Sequence, residues 1–293
     1  MTTPALTLAR SAPGDYLELT KPRITATVML TTLVGFVVAS VGAVNVPGLL
    51  AALVGTGLVA AGASALNMLL ERETDARMLR TRTRPLPSGR LRPPEALAFG
   101  ATLTLGGLAT LYWLSGPAAS SVAFVTWASY LFLYTPLKTR TSLSTIVGAF
   151  PGALPPVIGW AAVRGAVEPG AYVLFAILFL WQIPHFLAIA WIYRDDYARG
   201  GLPMLPVLDP EGRVTGRQVV ANSVALALVS VTPVAAGLAG GLYLGGSLVL
   251  GVGLIAAAVR MAVARDLPAA RALFGWSILY LVALCALLLV DRR

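Results

Sequence analysis

Three oxygen-bearing side chains, Asn67, Glu71 and Asp75, stand four residues apart at the end of a long apolar run. On a helix each four-residue step overshoots a full turn by only about 40°, so the three line up along one face. Carboxylate and amide oxygens in a row suit a hard cation such as Mg²⁺, which keeps several waters and shares the phosphates of its substrate. Arg72, Arg77, Arg80, Arg82 and Arg84 follow within a few residues, and guanidinium groups bind phosphate oxygens in pairs. Acid for a metal beside arginine for phosphate points to a metal-bridged diphosphate site at a membrane surface. The spacing alone fits equally a solvated, ion-paired collar on a membrane helix.

The elements that must position these groups are helices in a bilayer. Of 293 residues, 57% are hydrophobic and 12% charged, and the mean hydropathy is +0.78. A soluble domain of this size needs more polar surface. Segments near 24–44, 47–70, 95–114, 118–134, 144–163, 170–193, 218–238, 240–259 and 271–290 are each about long enough to span. The expectation is an all-α integral membrane protein of nine transmembrane helices. It comprises an N-terminal segment, 1–23, and a single membrane domain, 24–290. With this count, 19 of the 22 basic residues fall on one side, which places the N-terminus and the loops 72–94, 135–143 and 194–217 in the cytoplasm and the C-terminus outside. The net charge of +9 is thereby explained without nucleic acid. A single histidine, His185, excludes sites that need several histidine ligands, and Cys285 has no partner for an intrachain disulfide.

A second acidic pair, Asp195 and Asp196, ends the sixth apolar segment. If it faces the first cluster across one cavity, two Mg²⁺ ions could bridge a diphosphate and neutralise it as a leaving group. Arg80, Arg84, Lys138 and Arg140 are candidates for its outer oxygens. Departure of diphosphate from a prenyl chain leaves an allylic cation, which a water-poor cavity lined by aromatic faces would shelter. Trp181, Phe186, Trp191, Tyr130 and Tyr134 are available, though each also reads as packing. His185, preceded by Pro184 in mid-segment, is a functional candidate: a ligand to haem iron, a base, or a hydrogen-bonding group. The prolines 151, 155 and 156 should bend the fifth segment and free carbonyls toward an enclosed space.

Several stretches together resemble the haem O synthases (protohaem IX farnesyltransferases) of the UbiA intramembrane prenyltransferase superfamily. They are T-K-P-R-I-T at 20–25, the row from Asn67 to Leu86, Y-T-P-L-K at 134–138, P-P-V-I-G-W at 155–160, W-Q-I-P-H-F at 181–186 and D-Y-A-R-G-G-L-P-M-L-P at 196–206. The resemblance implies nine helices around a lateral cavity in the cytoplasmic membrane, capped by the cytoplasmic loops. It implies Mg²⁺-dependent transfer of the farnesyl group of farnesyl diphosphate, with addition of water, to a vinyl group of haem B. Haem B is then substrate rather than prosthetic group, and a haem A synthase is the expected functional partner. Asn67, Glu71 and Asp75 would form the first metal–diphosphate motif, with Asp196 and Asp195 in the second and Arg72 among the diphosphate contacts. His185, Trp181 and Phe186 would line the acceptor pocket. The chain departs from the superfamily where Ile192 stands four residues before Asp196 and where Glu71 replaces the common aspartate. A sibling prenyltransferase acting on an aromatic quinone or chlorophyll precursor shares the first motif but leaves W-Q-I-P-H-F without a purpose. A secondary transporter would carry its acids near mid-membrane.

Overall fold

In the computed structural model the described residues are 12–293, so Arg10 and the rest of 1–11 lie outside them. Proline at the first or second position opens most of the helices, because the missing N–H would be unpaired there anyway and the ring sets a helical φ. A short helix, α1 (Pro13–Leu19), precedes α2 (Pro22–Ala39), α3 (Val46–Leu70) and its short continuation α4 (Arg72–Arg77). Next come α5 (Pro93–Ser115), α6 (Pro117–Ala128), α7 (Thr135–Leu137), α8 (Ser144–Ala153) and α9 (Pro155–Arg164). The chain continues as α10 (Pro169–Ile192), α11 (Arg194–Arg199), α12 (Leu205–Leu208), α13 (Arg213–Val229) and α14 (Thr232–Ala235), and ends with α15 (Gly241–Ala264) and α16 (Leu267–Val290).

Eight single stretches among the described residues are long and apolar enough to cross a bilayer, one fewer than the nine expected; the remaining segment, near 118–134, is helical too but is not one regular α-helix. It is α-helical only to Ala128, then π-helical over Ser129–Tyr134 before α7. Pro136 has no N–H to offer one turn back, and the Tyr130 carbonyl accepts from both the amide of Thr135, five residues on, and the Thr135 hydroxyl, the latter at 2.8 Å. The regular ladder therefore widens just before the proline. The fifth span breaks at Leu154 between α8 and α9, as its prolines require, whereas Pro184 leaves α10 continuous.

The bundle is held by close helix contacts, chiefly α3 on α5, α2 on α9, and a group of α10, α13, α15 and α16. A continuous apolar cluster runs through this second group to α2 and α9. An apolar void lies between α2, α9, α10 and α16, lined by Thr31, Val34, Pro156, Leu178, Leu281 and Cys285 among others. The α3–α5 seam fixes the helix that carries the acidic row. A Cβ at Gly62 would collide with the Thr104 hydroxyl and lie 2.6 Å from the Gly100 carbonyl oxygen. Gly62→Ala is therefore expected to destabilise the fold by about 1–3 kcal/mol, read as a lowered unfolding temperature in detergent. At the opposite end, the Arg292 guanidinium donates to the carbonyls of Val37 and Gly42 at 2.8 and 3.2 Å, while the Asp291 carboxylate accepts from the Tyr243 amide at 2.7 Å. These two residues tie α2, α15 and α16 together.

Candidate active site

The acidic row forms as its spacing requires. The Glu71 amide donates to the Asn67 carbonyl at 2.9 Å and the Asp75 amide to the Glu71 carbonyl at 2.8 Å, so helical pairing carries through the junction of α3 and α4. All three side chains are buried. A buried anion needs a partner, and each acceptor here has its own cation. Asn67 Oδ1 accepts from Lys21 Nζ at 2.8 Å. Both Glu71 oxygens accept from Lys138 Nζ at 3.0 and 3.2 Å. Asp75 Oδ2 accepts from Arg84 Nη1 at 2.7 Å, and the Asp75 carbonyl accepts from the Thr81 hydroxyl at 2.8 Å.

Lys21 was outside the set expected from the chemistry of the row, and so was Thr135, whose hydroxyl accepts from Asn67 Nδ2 at 3.0 Å. A signal for Lys21 was present. The chain has two lysines among 22 basic residues, and both converge on this row. Lysine presents a compact charge with three rotatable donors, which can turn from one oxygen to another. Lys21 also caps α2 at φ +46, a left-handed conformation that costs energy in a residue with a Cβ. The π-helical segment delivers the other lysine. It brings Thr135 to Asn67 and sets the Tyr130 and Tyr134 rings in a stack 5.5 Å apart, with Lys138 Nζ 5.9 Å from the Tyr134 centroid.

These neighbours set the charge states. Burial pushes the Lys21 ammonium down, Glu71 opposes that, and Arg84 and Lys138 add to it, leaving its pKa at about 8. Burial alone would raise the Glu71 carboxyl, but Lys138 and then Lys21 hold it below the ordinary carboxylate value. Burial disfavours the Lys138 charge, yet Glu71 holds that ammonium above the usual lysine value.

The second acidic pair divides. Asp195 is exposed, 3.7 Å from Arg194. Asp196 is buried and turned to the first loop: its oxygens accept from the amides of Leu79 at 2.8 Å and Arg80 at 3.2 Å, and from Arg199 at 2.9 Å. Burial works against the Asp196 charge, and these donors more than offset it, holding the carboxyl below its ordinary value. Met78 packs with Tyr197, Leu202 and Met204 beneath this contact. The Arg80 guanidinium lies 5.0 Å from the Tyr193 ring. Loops 72–94 and 194–217 are thus joined directly over the row. Arg72 and Arg140 are exposed at the rim, Arg72 paired loosely with Glu73 at 3.5 Å.

His185 lies apart from the row, within α10. Its Nδ1 is 2.7 Å from Ser277 Oγ of α16, and its ring stacks 4.6 Å from Trp181 and 5.0 Å from Phe274, with Phe186 at 5.8 Å. Trp181 Nε1 donates to the Ser277 carbonyl at 2.6 Å.

Among the described residues no three His, Cys, Asp or Glu side chains converge into a cage for a metal. The donor set instead fits an ion shared with a ligand: hard oxygens from Asn67, Glu71 and Asp75 on one face, with cations beside them for further anionic oxygens. Mg²⁺ is commonly bound by one or two carboxylates plus substrate phosphates.

An all-helical membrane bundle with such a polar row describes an intramembrane prenyltransferase, and the chain belongs to the UbiA prenyltransferase family, whose pattern matches residues 28–289. It is 48% identical over 287 residues to the protoheme IX farnesyltransferase of Solibacter usitatus (strain Ellin6076), covering 95% of this chain and 98% of that one. It is 41% identical to the protein of the same name from Koribacter versatilis (strain Ellin345), over 95% and 93%. Among solved structures, a digeranylgeranylglyceryl phosphate synthase superposes with a TM-score of 0.79 at 18% identity, covering 95% of this chain and 97% of that one. A UbiA homologue from Archaeoglobus fulgidus bound to DMAPP and Mg²⁺ gives 0.65 at 16%, over 94% and 99%. At these identities the two neighbours share the fold.

Proposed function

We propose that this chain is a haem O synthase: it transfers the farnesyl group of farnesyl diphosphate, with addition of water, to a vinyl group of haem B. The observation that carries the reading is near-complete coverage of relatives bearing that activity in their names, joined to a row of buried oxygens each paired with a cation.

Asn67, Glu71 and Asp75 would hold Mg²⁺, which would neutralise the diphosphate as a leaving group. Lys21, Lys138 and Arg84 turn from the row toward phosphate oxygens as substrate arrives, and Arg80, Arg72 and Arg140 attract it from the rim. Asp196 keeps the loop of Arg80 and Arg84 over the row; a second ion there would have to share the oxygens that Leu79, Arg80 and Arg199 now use, with Asp195 reaching in from solvent. The stacked Tyr130 and Tyr134 rings present aromatic faces to positive charge on the departing prenyl group. The C–O bond to diphosphate breaks as the first farnesyl carbon bonds the outer vinyl carbon; water adds to the inner one and releases a proton. His185, Trp181 and Phe186 belong to the acceptor pocket. The membrane is the cytoplasmic one, with the N-terminus and the diphosphate row on the cytoplasmic side, and the product passes to a haem A-forming enzyme.

Offering haem B, 4-hydroxybenzoate and a hydroxynaphthoate in parallel with farnesyl diphosphate tests the acceptor. Consumption of haem B alone is expected; prenylation of a phenolic acid in its place would overturn the reading. The Lys21 pKa adds a pH prediction. With a folded value near 8 against 10.5 in model peptides, the ammonium is charged below pH 8 and is lost as pH rises through it. The kcat/KM for farnesyl diphosphate, which reports the free enzyme, is expected to fall above about pH 8, and in Lys21→Arg that limb should move to higher pH. The same shift means the folded state binds fewer protons between the two values, so stability attributable to Lys21 rises with pH across that window.

A further inference from the structure

We infer that His185 ligates the iron of the haem acceptor through an Nε2 lone pair that Ser277 keeps unprotonated, an inference that rests on the haem-acceptor reading above. The Ser277 hydroxyl oxygen lies 2.6 Å from the Phe274 carbonyl oxygen and 2.7 Å from His185 Nδ1. Two oxygens that close require a proton between them, and serine has one to give. Its lone pair therefore faces Nδ1, so Nδ1 carries the hydrogen. A neutral imidazole has a single N–H, and Nε2 is left with its lone pair bare. No hydrogen bond from a described residue reaches Nε2.

The surroundings hold the ring for this use. The backbone carbonyl of Ser277 fixes the Trp181 indole that stacks on His185, while its hydroxyl fixes the imidazole itself. Phe274, one turn earlier on α16, lies near-parallel to the same ring at 30°. Histidines that bind metals commonly donate their other N–H in this way, which sets tautomer and orientation. His185 is half-buried although Trp181, Gln182, Ile183, Pro184 and Leu187 around it are buried, so the residue is still partly accessible. The bond formed is one from Nε2 to an axial position of iron; no electron is transferred and nothing leaves. His185 stands seven residues before the cytoplasmic end of α10, about 10 Å along the axis. Ligation there would fix the centre and plane of the porphyrin while its rim carries the vinyl group toward the diphosphate row. Ser277 is then a positioning residue acting through His185.

The test uses the full-length protein in detergent with haem B. Resonance Raman and absorption spectra of the native complex in the ferrous state are expected to show an iron–histidine bond. His185→Gly should lose it and raise the KM for haem B at least tenfold while leaving that for farnesyl diphosphate within twofold; added imidazole should restore the bond. Ser277→Ala should weaken the signature and Ser277→Thr should retain it. A native complex that farnesylates haem B yet has no nitrogenous axial ligand overturns the inference and leaves the function standing, even if neither variant folds. A protein that binds haem B and never farnesylates it overturns the function, and the inference with it.

Discussion

Replacing Asp75 by asparagine is expected to lower turnover by about 10³-fold, comparable to the loss of a strong electrostatic contact to a transition state. The substitution conserves shape. The Asp75 carbonyl, which accepts from Thr81, belongs to the main chain and stays in place, so the turn between α4 and the loop should survive. What disappears is the charge: the buried carboxylate that pairs with Arg84 at 2.7 Å and that, in the proposed mechanism, offers a hard oxygen to Mg²⁺. Haem B affinity, which the proposed acceptor site sets within α10 and α16, should be unchanged. Single-turnover product formation beside a haem titration separates the two effects. Turnover within tenfold of the unaltered protein would remove Asp75 from the metal–diphosphate motif.

Lys138→Met should cost about 3 kcal/mol of stability, because removing one partner of a buried ion pair strands the other. Glu71 and Lys138 are 10% and 15% exposed at the side chain, so water does little to replace the lost ammonium, and Lys21 nearby relieves only part of the burden. The double change Glu71→Gln with Lys138→Met removes both charges and should regain most of that stability while remaining inactive. Thermal unfolding in detergent, set against farnesyl transfer, checks the pair. Recovery of activity together with stability would mean that these residues serve the fold alone.

How far the site could be read from the chain depended on whether its chemistry lay within one helix turn or between distant segments. The row Asn67–Glu71–Asp75 was legible because a four-residue period survives any packing arrangement, and the helical pairing runs through it unbroken. Arg84 and Lys138 were legible as cations near acids. Lys21 is visible only within the longer resemblance, since nothing local to T-K-P-R says that its ammonium crosses to Asn67. Asp196 was read as an acid for metal. Its contact with the amides of Leu79 and Arg80 joins positions more than a hundred residues apart, and no spacing rule reports such a contact. Ser277 and Phe274 were invisible for a different reason: α16 is apolar over most of its length, and a serine that bonds back to its own helix looks like any other. The π-helical part of the segment near 118–134 was not legible, because hydropathy does not register a change of helix pitch ahead of Pro136.

Mass measurement of the haem product tests the central claim most directly. Purified protein incubated with haem B, farnesyl diphosphate and Mg²⁺ should yield a haem heavier by one farnesyl and one hydroxyl group, with one diphosphate released for each, and none when Mg²⁺ is chelated. Haem of unchanged mass, recovered from protein that is folded and binds both substrates, would contradict the account.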